Sequence, residues 1–260
     1  MSQTVSSEGD VLYEVRNDAA WLTMNRPEVL NALSKGMFRN LERLIRSAST
    51  DPSVYFLVIK GSGRAFSAGL DIKEVGSLET KQQARKFVYD LVKPFWERLF
   101  ECVKPVISVV DGPAYGAGAE IVLCSDIVVA SNNARFAFSG GRVGALCCIS
   151  AGFGPLTILG RKVVEMNLTG TALSAEDAHL AGLVNYVERS EKLQERVEGL
   201  IAEMRHVSPI SNASFKRIRR TLYGESILEV AHKELLRSIT SMDFKKGAAA
   251  FLEKTSPDYY

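Results

Sequence analysis

Short apolar runs alternate with amphipathic stretches through the first two thirds of the chain. The apolar runs predict strands at 11–16, 20–25, 54–59, 106–110, 127–130, 134–138 and 183–187. The first two runs flank Asn17-Asp18, which is a hairpin signal. The runs at 54–59 and 106–110 are almost continuously apolar, which indicates buried strands.

Helical periodicity fills the spaces between these strands and then dominates the C-terminal part. Met37, Leu41, Leu44, Ile45 and Ala48 fall on one face of a helix that Ser34 can cap. A long amphipathic segment covers 81–102, and Pro94 should kink or divide it. Further helices are predicted at 152–159, 163–169, 174–181, 191–204, 209–223, 226–242 and 244–254. The predicted fold class is α/β with an all-helical tail.

The composition of the 260 residues is that of an ordinary globular protein, 46% hydrophobic and 24% charged. A net charge of +2 gives no reason to expect nucleic acid or an anionic membrane as partner. No apolar run reaches the roughly 18 residues that a membrane span needs. We expect a frayed polar N-terminus at 1–10, a core at 11–200 and a helical region at 201–260. Four cysteines without a framework spacing favour reduced thiols, and with no signal peptide evident we expect a cytoplasmic protein.

The segment 111–126 is the first place where the pattern suggests chemistry. A buried strand leads into a Gly/Pro turn, then into small residues that open an apolar helix carrying one acid, Glu120. Small residues let a ligand approach the backbone, and the first N–H groups of a helix are free to bind negative charge. Glu120 follows Ala117 by one turn, so a carboxylate there could move a proton beside an oxyanion. The alternative is a tight turn with an ordinary surface acid.

A second turn of small residues, at 65–71, also follows a buried strand. If the two strands are neighbours, both turns open at one edge of the sheet and two backbone N–H groups can converge on one carbonyl oxygen. Removing one donor of such an oxyanion hole costs roughly 3–4 kcal/mol of transition-state stabilisation. A thioester carbonyl that becomes an enolate needs this arrangement.

Other catalytic patterns are incomplete. Gly116-Ala117-Gly118 resembles part of a dinucleotide fingerprint, but Ile121 stands where the third glycine belongs. The chain has no phosphate loop of the Gly-Lys-Ser/Thr type and no serine within a Gly-x-Ser-x-Gly elbow. The three histidines lack ligand spacing, and Cys147-Cys148 is flanked by apolar residues, which favours core packing. We expect no metal site.

Several motifs, in order, are similar to those of the crotonase superfamily, the enoyl-CoA hydratase/isomerase group. They stand at 25–27 (Asn-Arg-Pro), 31–33 (Asn-Ala-Leu), 65–73 (Ala-Phe-Ser-Ala-Gly-Leu-Asp-Ile-Lys), 105–126, 173–178 (Leu-Ser-Ala-Glu-Asp-Ala) and 181–184 (Ala-Gly-Leu-Val). The similarity extends from about residue 11 to 257. It implies a spiral of ββα turns with a helical C-terminal region used for trimerisation, and trimers of this family often pair into hexamers.

The resemblance also implies a site for an acyl-CoA thioester. The oxyanion donors would be the backbone N–H groups of Leu70 and Ala117, with Glu120 as the catalytic acid/base. The remaining positions implied to bind substrate are Ala65, Ala68, Gly69, Lys73, Gly116, Gly140, Cys148, Phe251 and Lys254. No cofactor is implied beyond the CoA that is part of the substrate.

Hydratases of this family use two glutamates, and only the first is matched, by Glu120. Gly140 occupies the position of the second, where mitochondrial-type isomerases keep their single acid. Cys148 occupies the position of the acid in peroxisomal-type isomerases. Hydration is the default expectation, and isomerisation by Glu120 alone is the nearest alternative because it needs one base. Decarboxylation, thioester hydrolysis and acyl-CoA binding without turnover also stay open; in the last case Glu120 would be a carboxylate paired with a neighbour such as Arg142.

Overall fold

The N-terminal hairpin predicted around Asn17-Asp18 begins the main sheet of the computed structural model, which describes residues 4–156, 160–221 and 225–259. The strands are β1 (Thr4–Glu8), β2 (Val11–Arg16), β3 (Ala19–Met24), β4 (Phe56–Gly61), β5 (Val106–Val110), β6 (Pro113–Tyr115), β7 (Ile127–Ser131), β8 (Arg135–Ala137), β9 (Leu173–Ser174) and β10 (Tyr186–Glu188). The helices are α1 (Lys35–Thr50), α2 (Ile72–Gly76), α3 (Lys81–Phe87), α4 (Lys93–Glu101), α5 (Ala117–Cys124), α6 (Cys148–Phe153), α7 (Arg161–Thr169), α8 (Ala175–Leu180), α9 (Leu193–Met204), α10 (Pro209–Thr221), α11 (Glu225–Ile239) and α12 (Met242–Glu253). The α/β class is confirmed.

The main sheet has the strand order β1-β2-β3-β4-β5-β7-β10. The first three strands are antiparallel, and from β3 onward each neighbouring pair is parallel. Strands β4 and β5 are direct neighbours, with Val58 opposite Ile107. Because parallel strands end at the same edge, the turns that follow β4 and β5 open side by side, as the sequence predicted.

A second, smaller sheet of order β6-β8-β9 was not predicted as such. The residues after Gly112 were expected to form only a turn, yet Pro113–Tyr115 pairs in parallel with Arg135–Ala137. Three residues that begin with proline carry no readable alternation, so only the tertiary pairing defines this strand. The small sheet fixes the chain immediately before α5.

The predicted start of α1 is confirmed, since Ser34 Oγ accepts a hydrogen bond from the Met37 backbone N–H at 3.0 Å. The predicted disturbance at Pro94 takes the form of a π-helical turn, Val88–Val92, between α3 and α4. The Lys93 N–H donates to the carbonyl of Val88, five residues back, immediately before the residue that has no N–H. The amphipathic segment thus continues with a changed pitch.

The N-terminal prediction needs correction for residues 4–8, which pair antiparallel with β2 instead of fraying. The unpaired edge of β2 supplies the hydrogen bonds that hold this polar segment, and sequence periodicity alone could not indicate that. The division at residue 200 stays a prediction, although the position falls within α9. Parts of the predicted helices at 152–159 and 209–223 lie outside the described residues, namely 157–159 and 222–223.

Two apolar clusters cover the two faces of the main sheet. The larger one packs α1, α3 and α4 against one face, with Phe38, Phe95 and Trp96 fully enclosed. On the other face, α9 places Leu193, Val197 and other apolar residues against β3, β4, β5 and β7. Among the described residues no helix is both long enough and apolar enough to cross a bilayer.

Candidate active site

The turns after β4 and β5 are joined by backbone hydrogen bonds. The N–H groups of Phe66 and Ser67 donate to the Pro113 carbonyl at 2.9 and 3.1 Å, and the Tyr115 N–H donates to the Ser67 carbonyl at 2.8 Å. Two predicted turns separated by more than 40 residues are therefore one structural unit.

Gly69 shows how closely these turns approach each other. Its φ is +89°, a value that favours glycine, and a Cβ on it would lie 2.7 Å from the Tyr115 carbonyl oxygen and 3.1 Å from the Ala117 nitrogen. Any side chain at position 69 would displace the start of α5. The sequence motif thus contains a glycine for a steric reason.

Leu70 and Ala117, the residues whose amides were predicted as oxyanion donors, line one cavity of about 900 Å³. Leu70 forms a parallel bridge with Leu33, but its own N–H takes no part in it. The Leu33 N–H donates to the Gly69 carbonyl, and the Asp71 N–H donates to the Leu33 carbonyl. Ala117 is the first residue of α5, where N–H groups have no partner within the helix. Within the described chain, neither the Leu70 nor the Ala117 N–H has a hydrogen-bond acceptor. Both are thus available to a ligand atom.

Glu120 lines the same cavity and is only 3% exposed, so it is not the surface acid of the alternative interpretation. Its Oε1 accepts hydrogen bonds from the backbone N–H groups of Ile149 and Ser150, each at 2.8 Å. These groups belong to the first turn of α6, so the carboxylate is held by the start of that helix. Desolvation dominates over these hydrogen bonds and raises the pKa of Glu120 to about 8.

The proposed ion pair between Glu120 and Arg142 is wrong. The Arg142 guanidinium instead donates to the carbonyl of Thr169 through Nε at 3.2 Å and Nη2 at 3.1 Å. The loop that carries Arg142 turns this side chain toward the end of α7, outside the cavity lining.

Gly140 lines the cavity but has no room for a side chain. A Cβ there would lie 2.6 Å from the Ala145 carbonyl oxygen and 2.9 Å from the Cys147 sulfur. The Gly140 N–H donates to that sulfur at 3.3 Å. The loop is therefore closed around glycine, and it leaves Glu120 as the carboxylate at this point of the cavity lining.

Cys147 and Cys148 are buried beside Glu120, in agreement with the core packing expected for them. Burial, with a smaller contribution from the negative charge of Glu120, raises the pKa of both thiols well above its ordinary value. Both side chains stay protonated at neutral pH, and a protonated thiol is a poor nucleophile.

The other predicted binding positions divide into two groups. Ala68, Lys73, Gly116, Cys148, Phe251 and Lys254 line the cavity. Ala65 and Gly69 are outside its lining: the Ala65 carbonyl accepts a hydrogen bond from the Asn31 side chain at 2.8 Å, and Gly69 packs beneath the start of α5. These two residues build the turn and do not contact the cavity.

Sequence reasoning missed most of the apolar lining. Phe38, Val92, Trp96, Leu146 and Leu235 come from four separate parts of the chain. Their hydrophobicity was readable, but it marks core positions in general, and nothing in the pattern distinguishes a cavity wall from a filled core. The cations Arg26 and Arg64 also line the cavity, and Arg26 donates to Asp71 Oδ2 at 2.9 Å.

Comparisons with known proteins show the family of the chain. The model of the family described as Enoyl-CoA hydratase/isomerase matches residues 14–260. Mitochondrial enoyl-CoA hydratase from Pongo abelii is 31% identical over 94% of this chain and 84% of its own length. Trans-2-decenoyl-(acyl-carrier-protein) isomerase from Streptococcus mutans is 30% identical over 96% of this chain and 97% of its own. A crystal structure of an enoyl-CoA hydratase/isomerase from Mycobacterium paratuberculosis superposes with a TM-score of 0.84 at 28% identity, covering 92% of this chain and 97% of the other.

An α/β fold whose paired turns and buried glutamate share one cavity defines a crotonase-type acyl-CoA enzyme. The chain belongs to the enoyl-CoA hydratase/isomerase family of that superfamily. The resemblance read from the sequence motifs is confirmed at this level. In the part of the chain that the structure describes, no three His, Cys, Asp or Glu side chains are grouped so that they could hold a metal ion.

Proposed function

We propose that the chain forms an enolate from an acyl-CoA thioester, with the Leu70 and Ala117 N–H groups binding the thioester oxygen and Glu120 moving the proton. Two amides without acceptors and a buried carboxylate in one cavity support this assignment. In this proposal the negative charge of the enolate oxygen develops beside the two amides, so they bind the transition state more strongly than the ground state. The raised pKa of Glu120 suits proton transfer near neutral pH.

Within this chemistry we propose double-bond isomerisation as the reaction. Glu120 takes a proton from the α-carbon of a 3-enoyl thioester, the electrons move into the thioester as a dienolate, and the same proton returns at the γ-carbon. One base completes this cycle. The closed loop at Gly140 supports it, because that loop has no room for a second carboxylate.

Hydration is the second candidate. Glu120 matches the family glutamate that activates water, and enoyl-CoA hydratases are among the relatives at 31% identity. Hydration requires a proton to be taken from water and another to be given to the α-carbon, which is easiest with two groups. Incubation with crotonyl-CoA and with a 3-enoyl-CoA, followed by absorbance, separates the two reactions. Tight CoA binding without turnover of either compound would instead indicate a non-catalytic binder.

Replacing Glu120 tests the central role. Glu120→Gln keeps an oxygen that can accept from Ile149 and Ser150 but cannot take a proton. We expect kcat to fall by about two orders of magnitude or more while acyl-CoA affinity stays nearly unchanged. Cys148→Ala is the matched control, since it changes the same part of the wall and should leave kcat within about twofold. Unchanged turnover in Glu120→Gln would remove Glu120 from the mechanism.

We propose that the CoA part runs past Ala68 and Lys73 toward Phe251 and Lys254, and that no further cofactor takes part. Lys73, Lys254 and Arg64 are cations of the cavity lining that can bind the phosphates of CoA, whereas Arg26 is paired with Asp71. Lys254→Ala should raise the dissociation constant of CoA about threefold to tenfold. This increase should be smaller at high salt, because salt screens the attraction between the ammonium and a phosphate. Isothermal titration with free CoA measures this.

We also propose a cytoplasmic homotrimer, or a hexamer of two trimers, assembled through the C-terminal helices. The apolar side chains of Ile210, Phe215 and Ile218 on α10 are 77%, 61% and 68% exposed in the single chain, which supports a covered face. Phe215→Glu should shift the mass measured by light scattering toward the monomer, while Leu180→Glu, at an exposed apolar residue of α8 outside the C-terminal helices, should not. A wild-type monomer would contradict the proposal.

A further inference from the structure

A second cavity of about 620 Å³ adjoins the active-site cavity. It is bounded by α11, by the start of α12 and by the loop 141–146. Among the described residues, the two cavities share two lining residues, Ala145 and Leu146. These two residues therefore form the partition between the two cavities.

The backbone of this partition is held on both sides. The Leu146 N–H donates to Ser238 Oγ on α11 at 3.0 Å, and the Ala145 N–H donates to the Gly140 carbonyl at 2.9 Å. Gly144, with φ of +72°, packs so closely on α12 that a Cβ would lie 2.5 Å from the Phe244 nitrogen. The backbone of the partition is thus held in place, and Leu146 contributes the larger of its two side chains.

The two sides of the partition differ in chemistry. On the active-site side, Phe38, Val92, Trp96 and Leu235 are apolar residues of the lining that Leu146 also belongs to. Val92 and Trp96 are four residues apart on one helical face, and Leu235 stands one turn before Ser238, which holds the partition. The second cavity is lined mainly by polar side chains, namely Glu234, Arg237, Ser238, Ser241, Asp243 and Tyr259.

We propose that Leu146 sets the maximum length of the acyl chain by closing the apolar end of the cavity against the polar cavity behind it. This inference rests on the proposed binding of an acyl-CoA with its thioester at Leu70 and Ala117. Each methylene that enters the apolar end strengthens binding by about threefold to fourfold. A chain that reaches Leu146 gains nothing further, because the next methylene meets the partition.

The experiment is a titration of saturated acyl-CoAs, from butyryl-CoA to palmitoyl-CoA, into wild type and Leu146→Ala, with free CoA as the reference. Saturated chains bind without reacting, so the readout is independent of turnover. For wild type, affinity should increase with chain length, level off and then decrease. For Leu146→Ala, the levelling-off should move to chains longer by about two methylenes, and chains beyond the wild-type limit should bind at least about tenfold tighter than to wild type.

Leu146→Ile is the control, since it conserves the volume of the partition and should retain the wild-type length profile. Ser238→Ala is a second variant that removes the hydrogen bond to the partition and keeps the Leu146 side chain; it should widen the accepted range less than Leu146→Ala does. Folding of each variant is checked by thermal unfolding. If folded Leu146→Ala and Ser238→Ala both keep the wild-type profile, Leu146 does not set the limit.

The same titrations separate this inference from the proposed reaction. A shifted profile in a protein that turns over neither enoyl-CoA supports the role of Leu146 and removes the proposed isomerisation. An unshifted profile in an active enzyme removes the role of Leu146 alone. Failure of any acyl-CoA to bind more tightly than free CoA overturns both.

Discussion

At the scale of single residues, Glu120 is subject to two opposing influences. Burial among apolar side chains and thiols disfavours its charge, while the N–H groups of Ile149 and Ser150 favour it. Burial dominates, and the pKa rises to about 8. A carboxyl group with this pKa exists in both protonation states near neutral pH, which is what a group that takes and returns one proton requires.

The first prediction at this scale concerns the pH dependence of the rate. Glu120 must be ionised in the free enzyme to accept a proton, so kcat/KM for isomerisation should rise with pH and level off above about pH 8. The measurement is a profile of kcat/KM between about pH 6 and pH 9. A profile that is flat over this range, or that levels off near the ordinary carboxyl pKa, would contradict the assignment.

The same shift affects stability, with a sign that can be checked independently. The pKa of Glu120 is raised from 4.5 in the unfolded chain to about 8 in the folded one, so the folded state binds more protons between these values. The free energy of unfolding should therefore fall as pH rises through this window. Glu120→Gln has no charge to bury and should lose this part of the dependence. Urea titrations at several pH values compare the two proteins, and identical pH dependence would show that Glu120 is not desolvated.

At the scale of elements, the steric demand of Gly69 is testable. Gly69→Ala should displace the start of α5, because its Cβ would lie 2.7 Å from the Tyr115 carbonyl oxygen at a φ of +89°. We expect a loss of about 1–3 kcal/mol in stability. We also expect roughly a hundredfold lower kcat/KM, since the Ala117 amide moves from its position. Stopped-flow or absorbance assays measure kcat/KM, and urea unfolding measures the stability.

Gly199→Ala serves as the control for this prediction. Gly199 lies within α9, and a Cβ there would meet no atom within 4 Å. Alanine should raise stability by about 0.5–1 kcal/mol and leave kcat/KM unchanged, because it only restricts the unfolded chain and favours the helix. If Gly69→Ala behaves like Gly199→Ala, the close approach of the two turns does not matter for activity.

The local signals in the sequence were sufficient for the elements that build the site. Asn17 and Asp18 have φ of 50° and 60°, as the predicted hairpin turn requires, and Ser34 caps α1. The two turns were predicted because strand, glycine and helix start lie within a few residues of one another. The strand Pro113–Tyr115 and the role of Leu235 in the cavity wall were not predicted, because each is determined by contacts with residues distant in the chain.

At the scale of the whole molecule, one carboxylate joins α10 to the main sheet. None of the side chains of α10 is buried, so apolar packing contributes little to holding that helix in the single chain. Asp126 follows α5 and is 13% exposed. Its Oδ2 accepts from Lys216 Nζ at 2.5 Å and from the Val106 N–H at 2.8 Å, and its Oδ1 accepts from Arg219 at 2.8 Å.

Replacing Asp126 should therefore loosen α10 without disturbing the active site. We expect Asp126→Ala to lose about 1–3 kcal/mol of unfolding free energy, since it leaves the ammonium of Lys216 and the Val106 N–H without this acceptor. Hydrogen exchange should quicken in the amides of α10 and at Val106, which loses its acceptor, and not in those of α1, because local opening follows the contacts that are lost. Arg217→Ala is the control on the same helix: its side chain is exposed, and stability should stay within about 0.5 kcal/mol of wild type.

Because Asp126 does not line the cavity, Asp126→Ala should retain the kcat of wild type. Unchanged exchange in α10 would mean that Asp126 does not anchor the helix.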